Sequence, residues 1–216
     1  MKRICLLFLV FVSLLPLRAQ VAGSLRVNAS VRDFADALRA EYGAVNADGW
    51  LQYAPGAFYL GMGACGGAAG FAEHFAVTAT SWAAVGIMVN VLKYTVREER
   101  PDGTKSNSFP SGHSATAFMG AELVRMEYGG WYGAGAYAAA AAVGAMRIYN
   151  GRHWLTDVLA GAGIGVLSAH VGRMMLPLER KWFGIGARGS LVVLPFTAPS
   201  PVSGAPAAGM SLACTF

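Results

Sequence analysis

KYTVREERPDGTKSNSFPSGH, Lys93 to His113, closes a hydrophobic segment with a basic, polar loop and leads into the helix-like run SATAFMGA. Arg97, Arg100 and Lys105 give this loop fixed positive charge. Pro110-Ser111-Gly112-His113 sits directly before the helix, where backbone N–H groups, a hydroxyl and the positive end of the macrodipole favour an anion. Ser111 is equally well suited to be an ordinary N-cap. A second cluster tips the balance. RIYNGRHWLTD, Arg147 to Asp157, follows an intervening hydrophobic segment, and its His153 and Asp157 are four residues apart. On a helix that spacing gives them a common face, so the carboxylate holds the imidazole in one tautomer. Such a pair, a second histidine (His113) and several cations are what phosphoryl transfer through histidine requires.

The rest of the chain reads as membrane protein. Its 216 residues suit one domain, and 55% apolar against 13% charged is too apolar for an ordinary soluble fold. Small residues suit close helix packing in lipid, and the 28 glycines also dilute the hydropathy. The expected fold is all-α: a multi-span transmembrane helical bundle with a short C-terminal tail, either a β-hairpin or disordered.

Residues 1–19 show Lys2 and Arg3, an apolar run from Ile4 to Leu17 and a small-residue cleavage site, the pattern of a signal peptide. The run is short for a spanning helix, which favours cleavage over a signal anchor. Residues 20–49 are amphipathic, with Val31, Phe34, Ala35 and Leu38 at helical spacing, and predict a helix on the membrane surface or over the bundle. Asp33, Asp36 and Glu41 read as its solvated face.

Residues 50–180 form the expected core. Trp50 to Phe71 is its first hydrophobic segment, with Trp50 and Tyr53 suited to an interfacial aromatic belt. Glu73-His74 reads as a polar break before Phe75 to Lys93, and Asn90 as a buried polar group paired to a neighbouring helix. The run from Ser114 meets Glu122 and Arg125 too soon to cross lipid alone, so it must be sheltered in the bundle. Gly133 to Met146 and His153 to Leu176 complete the set, with His170 and Arg173 far from the phosphate loops. The tail, 181–216, carries LVVLPF and GMSLACTF, a weak pair of strands. Cys5, Cys65 and Cys214 have no metal or redox spacing, so neither zinc nor a disulfide is expected.

Arg173, Arg180, Lys181 and Arg188 fall, by segment counting, on the same side as Lys2 and Arg3. The positive-inside rule makes that side cytoplasmic and turns both motif loops outward. The five cations of those loops then break the rule, which a demand for anion binding explains.

Lys93, six residues, Arg100-Pro101; Pro110-Ser111-Gly112-His113; and Arg147, five residues, His153, three residues, Asp157 together resemble the type 2 phosphatidic acid phosphatase family. That family shares its site with vanadium haloperoxidases and soluble bacterial acid phosphatases. The likeness runs from about Trp50 to Met175 by hydrophobic periodicity. It implies that His153 attacks phosphorus, that Asp157 stabilises its imidazolium, and that His113 protonates the leaving alcohol and then activates water. It further implies that Lys93, Arg100 and Arg147, with Ser111 and Gly112, hold the phosphoryl oxygens. No metal or other cofactor is expected, and vanadate is expected to inhibit. Met146 stands where the family usually has Ser, which removes a hydroxyl contact.

With the membrane implied by composition, the resemblance implies a phosphorylated lipid as partner; no nucleic acid is expected, and the signal pattern with the charge asymmetry puts the site at the periplasmic face of a bacterial inner membrane. A lipid A phosphate leads, since Trp50-Leu51-Gln52-Tyr53-Ala54-Pro55 is also similar to lipid A phosphatases of the family. Undecaprenyl diphosphate or phosphatidylglycerol phosphate, or a soluble non-specific acid phosphatase, are the alternatives. A haloperoxidase fits less well with the short Asp102 to Phe109 link, and a non-catalytic binding protein with two intact histidines.

Overall fold

The computed structural model describes residues 22–185, 191–199 and 206–214. The signal-like run of residues 1–19 lies outside the described residues. Seven helices follow in order: α1 (Ala22–Tyr42), α2 (Asp48–Leu51), α3 (Ala54–Cys65), α4 (Gly67–Val96), α5 (Gly112–Tyr128), α6 (Gly130–Tyr149) and α7 (Leu155–Phe183). Two antiparallel strands, β1 (Leu191–Pro199) and β2 (Pro206–Cys214), pair with Leu191 opposite Cys214 and Pro199 opposite Pro206. The described part of the tail after α7 is thus a pair of strands rather than disordered chain. A two-stranded ribbon has only edges, which is where strand prolines such as Pro195 are tolerated.

The short helix α5 is the axis of the bundle, packed by α3, α4, α6 and α7. It is buried nearly all round, from Ser114 and Ala115 to Leu123 and Val124, as its length required. Lipid tails are as apolar as leucine, so close contact between backbones must hold such helices together. Small residues supply that contact. A Cβ on Gly120 would lie 2.5 Å from the Gly56 nitrogen of α3, and one on Gly161 of α7 would run into the Ser111 carbonyl. Tyr59, Met119, Leu123 and Ile164 fill the space between.

Helices α4 and α7 are the two long and apolar enough to cross a membrane among the described residues. At about 1.5 Å per residue, either exceeds the ~30 Å hydrocarbon core. Much of α4 faces outward, with Phe75, Trp82, Ile87 and Val91 exposed as lipid-facing residues would be. Helix α1 lies over α6 and α7: Asn28 donates to Thr156 (3.1 Å) and Arg39 to the Tyr149 carbonyl (3.2 Å). Of its expected apolar face, Ala35 is buried but Phe34 is exposed.

Three expectations need correction. Glu73-His74 does not break the chain: both lie inside α4, and the division falls earlier, at Gly66 and Gly67 (φ +80). His74 is no loop residue, since it bonds the Gly70 carbonyl (2.8 Å) and the Tyr128 hydroxyl (2.9 Å) and packs on Tyr59. Glu73 is compensated by Arg180 through two hydrogen bonds (3.0 and 2.7 Å). Asn90 is exposed and donates to Gly86 of its own helix (2.7 Å), not to a neighbour. Helix α7 starts at Leu155, so His153 precedes it, and it continues through Pro177 to Phe183.

Candidate active site

Both motif loops gather at one end of the bundle. Arg97, in the left-handed region (φ 47), ends α4, and the chain turns back through hydrogen bonds from Arg100 N–H to the Lys105 carbonyl (3.0 Å) and from Gly103 N–H to that of Arg100 (3.0 Å). Asp102 N–H donates to the Gly151 carbonyl (3.2 Å) and Trp154 Nε1 to that of Glu99 (2.9 Å), which joins this loop to the one before α7. Ser111 N–H donates to the Asp157 carbonyl (3.0 Å), locking the second motif to the third.

Within this frame His153 is 2% exposed, and its Nδ1 lies 3.8 Å from Asp157 Oδ2. The ring is held by the loop turn through Trp154, not by a shared helical face. Asp157 Oδ2 accepts from Ser108 Oγ (2.5 Å) and from the Trp154 N–H (2.9 Å), so its lone pairs are aimed before any substrate arrives. Asp157 Oδ1 and His153 Nδ1 are buried with no hydrogen-bond partner within bonding distance among the described residues. Burial lowers the His153 pKa below its ordinary value, outweighing the opposing pull of Asp157, which favours the neutral ring.

His113, half-buried in the first turn of α5, is pulled down to about 4, first by burial and then by the Arg147 charge. It lies within electrostatic reach of His153, Arg100 and Asp48 as well. Lys93 neighbours Arg100, Asp157 and Arg147, and its Nζ donates to the Asn107 carbonyl (2.6 Å). Arg100 donates through Nε to Asn107 Oδ1 (3.1 Å), and burial followed by the Arg147 charge lowers its pKa. Ser111 Oγ accepts from the Ser114 N–H (3.4 Å) and hydroxyl (2.9 Å), so Ser111 is an N-cap at the same time as it sits beside the site. Beside Arg100 a cleft of about 400 Å³, lined also by Arg32, Asp102 and Trp154, opens outward.

The structure therefore brings together Lys93, Arg100, Ser111, Gly112, His113, Arg147, His153 and Asp157. Two cations expected in the anion site are elsewhere. Arg97 folds back onto the Tyr94 carbonyl (3.2 Å) and Lys105 is exposed. Arg152 pairs with Asp102 at the rim (3.2 Å). Met146 packs against the alanines Ala117, Ala121 and Ala140.

Sequence reasoning missed Ser108, and it missed Asp48, which binds Arg147 Nη1 at 2.5 Å. At the other end of α5, His170 joins Arg125 and Tyr137 around the buried Glu122 (2.9, 2.7 and 2.6 Å), a structural cluster apart from the site.

Residues 75–180 match the PAP2 superfamily model and form a PAP2 domain, which contains all eight of these residues. The chain is 44% identical over 115 residues to the lipid A 1-phosphatase of Porphyromonas gingivalis, a match covering 52% of this chain and 26% of that protein. The chain thus spans about a quarter of that curated relative's length. Among solved structures, the first transmembrane PAP2 type phosphatidylglycerolphosphate phosphatase from Bacillus subtilis superposes with a TM-score of 0.56 at 20% identity, over 84% of this chain and all of that one. Aquifex aeolicus LpxE gives a TM-score of 0.45 at 21% identity, over 64% of this chain and 93% of that one. The fold is that of the transmembrane PAP2 phosphatases.

Proposed function

We propose that this protein hydrolyses a phosphomonoester of a membrane lipid, with His153 as nucleophile, and that it does so without a metal. The observation that carries this reading is a buried His153 facing Asp157, with Lys93, Arg100 and Arg147 as its charged neighbours at the same end of the bundle. The nitrogen of His153 remote from Asp157 attacks phosphorus. The negative charge of the bound phosphate offsets the Arg147 and Arg100 charges that lower the His113 pKa in the free site, so His113 is protonated in the complex; as the P–N bond forms and the bond to the leaving oxygen breaks, it gives that oxygen the proton. In the second step His113 takes a proton from water, the resulting hydroxide attacks the phosphohistidine, and inorganic phosphate and neutral His153 are released. Lys93, Arg100 and Arg147, with the Ser111 hydroxyl and Gly112 N–H, compensate the charge on the equatorial oxygens, the part a metal plays elsewhere. Arginine forks suit that geometry.

The substrate proposed is a lipid A phosphate in the outer leaflet of the inner membrane. The identity shared with a lipid A 1-phosphatase supports it, as does a site at the end of the bundle opposite Arg173, Arg180 and Lys181. A phosphate anchored at headgroup depth reaches such a site by lateral diffusion. Two experiments test the reading. His153→Ala should abolish trapping of labelled phosphate on the protein, and equal trapping on wild type and variant would refute the nucleophile. Deleting the gene should raise the phosphate count of lipid A by mass spectrometry; an unchanged count with another lipid phosphate accumulating would reassign the substrate to that lipid.

A further inference from the structure

Asp48 lies outside the PAP2 domain, in the four-residue helix α2, yet its carboxylate reaches the centre of the site. The Asp48 and Arg147 side chains are 7% and 11% exposed. Burying two charges costs several kcal/mol per ion unless each meets a partner in good geometry, so a 2.5 Å contact between them is a strong constraint on both. The turn that carries Asp48 is pinned by Gln52, whose Nε2 donates to the Gly49 carbonyl (2.8 Å). Asp48 takes only Nη1 of the guanidinium. Arg147 Nε is buried with no hydrogen-bond partner among the described residues, and a buried unmet donor is unfavourable until something accepts from it. One nitrogen of Arg147 is thus held by the protein while another is buried without a partner among the described residues.

The same carboxylate bears on His113. The charged and titratable groups around that ring are Arg147 from α6, Asp48 from α2, His153 from the loop before α7, and Arg100 from the loop after α4. Arg147, His153 and Arg100 all push its proton off. Asp48 alone among these four favours keeping it.

We propose that Asp48 is a positioning residue: its carboxylate fixes Arg147 by Nη1 so that Nε is left for a phosphate oxygen. Its charge also bears on His113, which makes the pH profile a second readout. This rests on the reading of His113 as general acid given above. The competing account is a purely structural pair that fastens α2 to α6.

A general acid works below its pKa and fails above it, so anything that lowers the His113 pKa moves the alkaline limb of the rate profile to lower pH. With full-length protein in micelles, Asp48→Asn should raise KM about tenfold for a lipid alkyl phosphate and for an aryl phosphate alike, as one lost charge-assisted contact would. On the alkyl substrate the alkaline limb of kcat should move down by roughly one pH unit, the size of effect expected from removing one nearby opposite charge. On the aryl substrate, whose leaving group needs no acid, kcat should keep its wild-type profile. Asp48→Glu should bring the limb back. Asp33→Asn, an exposed carboxylate of α1, should match wild type throughout. Equal loss of kcat at every pH on both substrates, with the limb in place, would overturn the proposal in favour of the structural pair. Should Asp48→Asn not accumulate in membranes, Asp48→Glu carries the test: a raised KM with the wild-type limb supports the proposal, and an unchanged KM refutes it. Full activity of His113→Ala on the alkyl substrate would instead sink the reading of His113 itself.

Discussion

Gly161→Ala adds one methyl group at the crossing of α5 and α7, and its cost follows from the contacts there. The new Cβ would stand 3.2 Å from Ser114 Cβ and 3.3 Å from the Ala115 nitrogen, with the Ser111 carbonyl oxygen closer still. Carbon and oxygen meet at no less than about 3.3 Å even in the closest favourable contacts, so the start of α5 must retreat by ~1 Å. That retreat stretches the bond from Ser111 N–H to the Asp157 carbonyl and carries Ser111, Gly112 and His113 away from His153. Overpacking of this kind costs about 1–3 kcal/mol of stability. A misplacement of about 1 Å between reacting groups costs on the order of 100-fold in rate. Phosphate release by the purified, folded variant should therefore fall about 100-fold in kcat, compared with Gly135→Ala, where a Cβ meets nothing within 4 Å. Wild-type turnover by Gly161→Ala would show that the register of α5 against α7 does not set the geometry of the reaction.

Ser108→Ala removes a buried donor to Asp157 and should lower kcat about tenfold, as the loss of roughly 1.4 kcal/mol from one charge-assisted bond would; a compensating fall in KM would contradict a role through Asp157. Chelators should leave activity intact while vanadate inhibits, because trigonal-bipyramidal vanadate matches the transferring phosphoryl group; activity lost to chelation and restored by divalent ions would end the metal-free mechanism. Since burial dominates at His153, its NMR resonance, assigned by loss in His153→Gln, should titrate below the free value of 6.5. Falling pH therefore protonates this ring late, and a midpoint above 6.5 would mean that Asp157 prevails over burial.

The residues gathered at the candidate site were legible because their types recur at fixed intervals around helix ends, where capping and anion binding ask for the same groups, as at Ser111. Asp48 was not, because its partner Arg147 lies 99 residues away and nothing local separates it from the solvated carboxylates Asp33, Asp36 and Glu41. The boundary between α3 and α4 was misplaced for a related reason. Glu73 and His74 depress local hydropathy, but Arg180 and Tyr128 satisfy them from distant elements, while the actual break at Gly66-Gly67 is a matter of backbone angles within an apolar run. Phe34 shows the limit of periodicity: it has the right spacing for the buried face of α1, yet it is exposed while Ala35 beside it and Asn28 are buried. The spacing of His153 and Asp157 suggested a helical face, whereas the loop through Trp154 brings them together.

Trp154 also makes the site optically addressable. Its N–H holds Asp157, its indole donates to Glu99, the Arg32 guanidinium lies 5.7 Å from its ring centroid, and it lines the cleft beside Arg100. Trp50, Trp82, Trp131 and Trp182 are all exposed and report on detergent or lipid. The difference in emission between wild type and Trp154→Phe therefore isolates a single chromophore touching both motif loops, so an anion arriving beside Arg100 alters the field around that one indole and reports its own occupancy without any turnover.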